Sequence, residues 1–265
     1  MRAIAVLLIW LTGALAGTAE TPVKPRVVSL DYCADQFVMG LADRDQILAV
    51  SPHAGRAFSH LRDKAKGLPV VRALAEDVIA LQPDLVVRSW GGDSRALAFY
   101  ERLGIEVIQI GYASDFEGAA RVTRQVGEAL GQSERAEALA KRLGFGVAAT
   151  GKRALYLTPG GVTAGKGTMV DAIMQAAGLT NVVQETGWIN LPLEQLVQSP
   201  PDRVLAAFFG FDEDTASNWS LSRHPVMQRV MKNAETIELD ESRLACPAWF
   251  VAGEAADVAD AVASK

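Results

Sequence analysis

One stretch of this chain occurs twice. In the first half, Glu76-Asp77-Val78-Ile79-Ala80-Leu81-Gln82-Pro83-Asp84-Leu85-Val86-Val87 runs into Arg88-Ser89-Trp90-Gly91-Gly92. In the second, Glu194-Gln195-Leu196-Val197-Gln198-Ser199-Pro200-Pro201-Asp202-Arg203-Val204-Leu205 runs into Ala206-Ala207-Phe208-Phe209-Gly210. Glu76, Pro83, Asp84, Val86 and Trp90 match Glu194, Pro201, Asp202, Val204 and Phe208 at one constant offset. Each copy reads as a short helix, a Pro-Asp turn and a buried strand that ends at an aromatic residue or glycine, one αβ unit per half.

The flanking segments extend the pattern. Residues 26–30, 46–50, 85–88 and 105–110 are short β-rich runs, with helix-period segments such as 96–103 between them. The second half repeats this with 154–157, 169–177, 203–207 and 236–239. Apolar strands alternating with helices imply parallel sheets covered on both faces. The expected fold is therefore α/β, with two Rossmann-like lobes.

Between the halves, residues 115–150 carry no strand signal. Ala119, Val122, Val126, Ala129 and Leu130 suit an amphipathic helix. After Gly131-Gln132, Ser133 is placed to cap a second helix bearing Ala136, Leu139, Ala140, Leu143 and Val147. A long helical connector between two α/β lobes makes a clamp whose cleft faces the carboxyl ends of the strands, where open sheets of this kind place ligands.

The amino-terminal residues read as a secretory signal over 1–19: Arg2, an apolar stretch from Ala3 to Leu15, then small residues. The stretch is too short to span a bilayer, which takes about 20 residues. No cysteine follows at once, so the expectation is a periplasmic protein without a lipid anchor. The lobes then span 20–114 and 151–265, with the connector over 115–150. A formal net charge of −5 argues against nucleic acid as a partner.

In order along the chain, Arg26-Val27-Val28-Ser29-Leu30, Leu81-Gln82-Pro83-Asp84-Leu85-Val86-Val87, Leu103-Gly104-Ile105-Glu106-Val107 and Ala176-Ala177-Gly178-Leu179-Thr180-Asn181 resemble the helical-backbone (class III) periplasmic binding proteins for iron–siderophores, haem and vitamin B12. Trp90-Gly91-Gly92 looks like the cobalamin-binding members in particular. The resemblance implies a monomeric, non-enzymatic carrier of a metal chelate that delivers its load to the inner-membrane permease of an ABC importer. A ferric siderophore is the first choice of ligand, with a corrinoid or haem as the alternative. The family sets an acidic residue of each lobe against its permease, and Asp93 and Asp212 are the candidates here. Arg95 lies near where the cobalamin-binding members would carry that acid.

Several side chains could line the cleft. Tyr32, Trp90, Tyr112 and Trp188 fall at strand ends or in the loop before the second repeat, and flat faces suit a catecholate, porphyrin or corrin. Each aromatic side chain buries about 150–250 Å². Lobe-core packing is the competing reading. Arg88 ends an apolar strand and Arg243 follows the last one. One arginine per lobe would suit an anionic chelate, whereas salt bridges within each lobe would leave none for a ligand. Lys166 sits in a glycine-rich turn that lacks the Ser or Thr a phosphate-binding loop needs, since Gly167 stands there. His53 follows a strand, while His60 and His224 read as surface residues. Three histidines are few for a bare metal ion, and no metal ligand is assigned. No nucleophile motif points to an exported hydrolase. Cys33 and Cys246 are the only cysteines, placed at the starts of the first and last helices. They are expected either to bridge near the base of the cleft or to remain separate thiols lining it.

Overall fold

In the computed structural model, residues 24–89, 92–207 and 224–264 are described. The signal segment, Trp90 and Asp212 lie outside them.

The first lobe is built on β1 (Val27–Ser29), α1 (Tyr32–Leu41), β2 (Ile47–Ala49), α2 (Ala75–Ala80), β3 (Leu85–Arg88), α3 (Leu97–Arg102) and β4 (Glu106–Gln109). Its sheet runs β2-β1-β3-β4, all parallel. The pleat sends Val27, Leu85 and Val87 toward α1, and Val28 and Val86 toward the layer that holds Val78 and Tyr100. Both faces are thus buried, as continuous apolar strands require.

Next comes α4 (Phe116–Ala129), capped by Asp115, whose carboxylate accepts from Gly118 N at 2.7 Å. The helix ends at Gly131, which holds a φ of 66°. Then α5 (Ser133–Ala140) begins, with Ser133 inside the helix rather than capping it. Gln132 takes the cap position and spends its amide on Asp43 and Gln46 instead, at 2.8 and 2.7 Å. A Cβ on Gly127 would collide with Ala136, so the glycine lets the two connector helices touch.

The second lobe contains β5 (Arg153–Leu157), β6 (Val162–Ala164), α6 (Met169–Ala176), β7 (Thr180–Asn181), β8 (Trp188–Asn190), α7 (Leu193–Gln198), β9 (Arg203–Ala206), α8 (Pro225–Asn233), β10 (Glu235–Glu238), α9 (Glu241–Leu244) and α10 (Val251–Ala263). A parallel sheet runs β10-β9-β5-β7. Residues 169–176 follow the glycine-rich turn and form the helix α6. Thr168 caps it by accepting from Asp171 N, and Val170, Ile173, Met174 and Ala177 are buried at helical spacing.

The repeat is visible at atomic level. Asp84 accepts from Arg26 N at 2.8 Å, and Asp202 accepts from Arg153 N at 2.8 Å. The same guanidiniums reach carbonyls of the preceding turn, Gln82 in one lobe and Ser199 and Pro200 in the other. Each Pro-Asp turn therefore clamps the start of the central strand beside it.

Besides the clusters within each lobe, one core crosses between them. A single apolar cluster joins α1, α4 and α5 with Met169 and Ile173 of α6, and with Trp249, Phe250, Val251, Ala252 and Ala255 in and before α10. The Trp249 ring meets Phe37 edge-on at 5.7 Å. Gly40 makes room for it, since a Cβ there would overlap the indole.

Candidate functional site

At the carboxyl ends of both sheets lies a cleft of about 600 Å³, within the size of ordinary ligand sites. Its walls are mostly apolar and aromatic, and both lobes contribute.

From the first lobe come Tyr32, Phe58, Tyr112 and Ala113. Tyr32 opens α1, whose start is locked by the buried Asp31 carboxylate. That group accepts from Ala34 N at 3.0 Å, and from Ser89 N and Oγ at 2.7 and 2.5 Å, tying the helix to the end of β3. Phe58 lies edge-on to Tyr32 with ring centroids 5.5 Å apart. Tyr112 stands at the mouth, 74% exposed.

The second lobe contributes Tyr156, Thr158, Met169, Val170 and Trp188, then Glu241, Leu244, Ala245 and Pro247. Trp188 projects from a two-stranded antiparallel flap, β6 against β8, in which Ala164 faces Trp188. At its base a Cβ on Gly165 would strike the Glu185 carbonyl, so only glycine fits that junction. The Trp188 ring is half-exposed and meets Tyr156 edge-on at 5.9 Å. Burial pushes the Tyr156 phenol up to about 12. Burial, aided by the Asp31 charge, also raises Tyr32. Both rings therefore meet a ligand as neutral phenols.

The sequence candidates divide accordingly. Tyr32, Tyr112 and Trp188 line the cleft. His53 sits beside it, exposed, its ring 6.2 Å from that of Phe58. Arg88 does not line it. It shares a strand face with Val86, is buried on the side of Tyr100, and donates from Nη2 to Gly92 O at 3.4 Å. Arg243 is turned away as well, held by Asp240, Glu254 and Asp257. Lys166 is exposed and bridges through its backbone to Thr186. His60, expected at the surface, packs on Phe250 at 4.4 Å with Nδ1 3.3 Å from Ser242 Oγ. Asp93 is exposed and paired with Arg95 at 2.7 Å.

Residues the sequence reading passed over are Phe58, Tyr156, Met169 and Glu241. Tyr156 lies inside a strand and reads as core. Glu241 follows a strand end just as Arg243 does, and that position was the available signal. Cys33 and Cys246 form a disulfide, and each is next in sequence to a lining residue, Tyr32 and Pro247. Among the described residues, no group of three or more His, Cys, Asp or Glu side chains converges to hold a metal ion, and no helix is long and apolar enough to cross a membrane.

A family model described as periplasmic binding protein matches residues 27–235. A cobalamin-binding protein of Halobacterium salinarum is 28% identical over 195 residues, covering 68% of this chain and 53% of that protein. The chain thus spans about half the length of that relative. Among solved structures, the periplasmic haem-binding protein HutB of Vibrio cholerae superposes with a TM-score of 0.69 at 21% identity, over 89% of this chain and 98% of that one. A periplasmic haem-binding protein of Pseudomonas aeruginosa gives 0.67 at 22%, over 89% and 92%. At such identities the likeness is one of fold.

Proposed function

The chain belongs to the periplasmic binding protein family, and on that premise we propose that it captures a flat, macrocyclic metal chelate, a corrinoid or a haem, and passes it to the permease of an ABC importer. The observation that carries this reading is the pair of opposed aromatic walls, with Tyr32, Phe58 and Tyr112 on one lobe and Tyr156 and Trp188 on the other. Such faces bury a planar ring over its whole area and need few polar contacts. A ferric siderophore, the first expectation from sequence, is served less well by these walls. The two arginines expected to meet its charge are engaged elsewhere.

The role is capture without chemistry. The family model supports this, since it describes a binding protein. Export by the amino-terminal segment and docking through acidic rims belong to the same reading, supported by the family and by the names of relatives.

Titration of the purified protein with cyanocobalamin, haem and a ferric siderophore, followed by tryptophan fluorescence and visible absorbance, tests it. Saturable binding of a macrocycle is the expected result. Tight binding of free Zn²⁺ with no response to any chelate would overturn it.

A further inference from the structure

We propose that the Tyr156 hydroxyl is an orienting hydrogen-bond donor of the cleft, one that meets a carbonyl or carboxylate oxygen on the rim of the bound macrocycle and discriminates against rings without such an acceptor. This inference rests on the reading of the cleft as a macrocycle site. Tyr156 lines the cleft although only 1% of it is exposed. Its hydroxyl makes no hydrogen bond among the described residues, and burial alone raises the phenol.

The residue is held rigidly behind that group. Tyr156 lies inside β5, opposite Leu205 of β9, so the sheet fixes its backbone. Its carbonyl also accepts from Thr163 Oγ1 at 2.6 Å, which ties the flap to the strand at this point. The ring packs in the second-lobe cluster with Val170, Met174 and Leu205, and meets Trp188 edge-on. Since the base of the side chain is enclosed by the sheet and that cluster, the part that reaches the cleft wall is its hydroxyl end. Thr158, another polar side chain of the lining, already donates to Val162 O at 2.7 Å.

A hydroxyl in an apolar wall is hydrated only while the cleft is open to water. A ring that seats against it expels that water and must supply an acceptor, or the donor is left unsatisfied. Sites built around such a donor reject the analogue that cannot accept. Corrinoid carboxamides and haem propionates both offer the oxygen.

The test compares haem and cyanocobinamide, which carry acceptors, with the iron complex of etioporphyrin, whose rim bears only alkyl groups, on the wild-type protein and Tyr156→Phe. Tyr100→Phe is the control, since it removes another buried hydroxyl with no hydrogen bond among the described residues, set in the first-lobe core. Tyr156→Phe should weaken binding of whichever acceptor-bearing ring the wild type takes by about tenfold, and leave iron etioporphyrin unaffected. Tyr100→Phe should change neither. Thermal unfolding of Tyr156→Phe without ligand should be unchanged or raised, because the free chain loses no hydrogen bond. An equal loss for all rings, or no loss for any, overturns the inference while the macrocycle reading stands. So does a visible charge-transfer band with haem that vanishes in Tyr156→Phe, because the phenolate would then bind the metal rather than the rim. Failure of every ring to bind the wild type overturns both.

Discussion

Cys33 and Cys246 are bonded across the two lobes with Cα atoms 5.4 Å apart, 213 residues distant in sequence. Their sequence neighbours line the cleft, Tyr32 beside one and Ala245 and Pro247 beside the other. The bond therefore fixes one point on each wall of the site relative to the other.

Protein made in an oxidising compartment, denatured without reductant, should contain no titratable thiol. Replacing both residues with serine should lower stability to urea by up to about 5 kcal/mol, the chain-entropy contribution of so long a cross-linked loop. Two reactive thiols in the native chain, or an unchanged unfolding midpoint in the double variant, would contradict the bridge.

Closure on a ligand should be small. The shared apolar cluster and the disulfide hold the lobes at the floor of the cleft, so scattering profiles with and without saturating macrocycle should nearly superimpose. In the double serine variant they should diverge. A large fall in radius of gyration in the wild type would oppose this.

Trp188 should report binding. It is half-exposed on a flap and stacks edge-on with Tyr156, so its emission should be quenched as a ring inserts. Trp188→Ala should weaken the affinity by about tenfold or more, the loss expected from one aromatic contact and its buried area. The melting temperature should hardly move, because the indole is not core. An affinity unchanged within twofold would remove Trp188 from the site.

Stability should fall as pH rises between about 5 and 7. Burial pushes the Asp35 carboxyl up to about 7, against hydrogen bonds from Ser29 and Ser51 and with help from the Asp31 charge. The folded state thus keeps a proton that the unfolded chain releases near 3.8. Where the folded state binds more protons, stability declines with pH by up to about 1.4 kcal/mol per unit for each group, and levels once both states are ionised. Glu254, also raised to about 7 by burial, adds a parallel slope. Asp35→Asn should remove about half of it in urea titrations at several pH values. The lowered carboxylates Asp84 and Glu137 lose their contribution only in more acidic solution. A slope that Asp35→Asn leaves intact would refute the assignment.

Gly40→Ala should destabilise by about 1–3 kcal/mol, the cost of overpacking, because the added methyl meets the Trp249 ring. Trp249→Leu in the same chain should recover part of the loss. Additive effects of the two substitutions in a thermal or urea melt would argue against contact between them.

The strands were legible because each is an apolar run closed by a turn, and the Pro-Asp repeat set their phase. Residues 169–176 were readable as a helix from the glycine-rich turn before them. Met-Val-Asp-Ala-Ile-Met is short and apolar enough to suit either element, and the deciding feature is the Thr168 cap. In the site, Tyr32 and Tyr112 could be found from their places beside strand ends, and Trp188 from the segment before the second repeat, which was read as a loop and folds as β8. Arg88 could not be assigned, because alternation shows that it shares a face with Val86 but not which face the cleft takes. Tyr156 was hidden for a related reason. Its ring is 1% exposed, so it reads as core while still reaching the cleft wall.

The helix α10 belongs to two cores at once. Its first turns complete the cluster of the amino-terminal lobe, and Val258, Ala259 and Val262 complete that of the second. The lobe synthesised first therefore cannot finish its interior until this late stretch of chain arrives. Until it does, Phe37 lacks the Trp249 ring that packs against it. The last shared packing of the two lobes runs through Trp249 against Phe37.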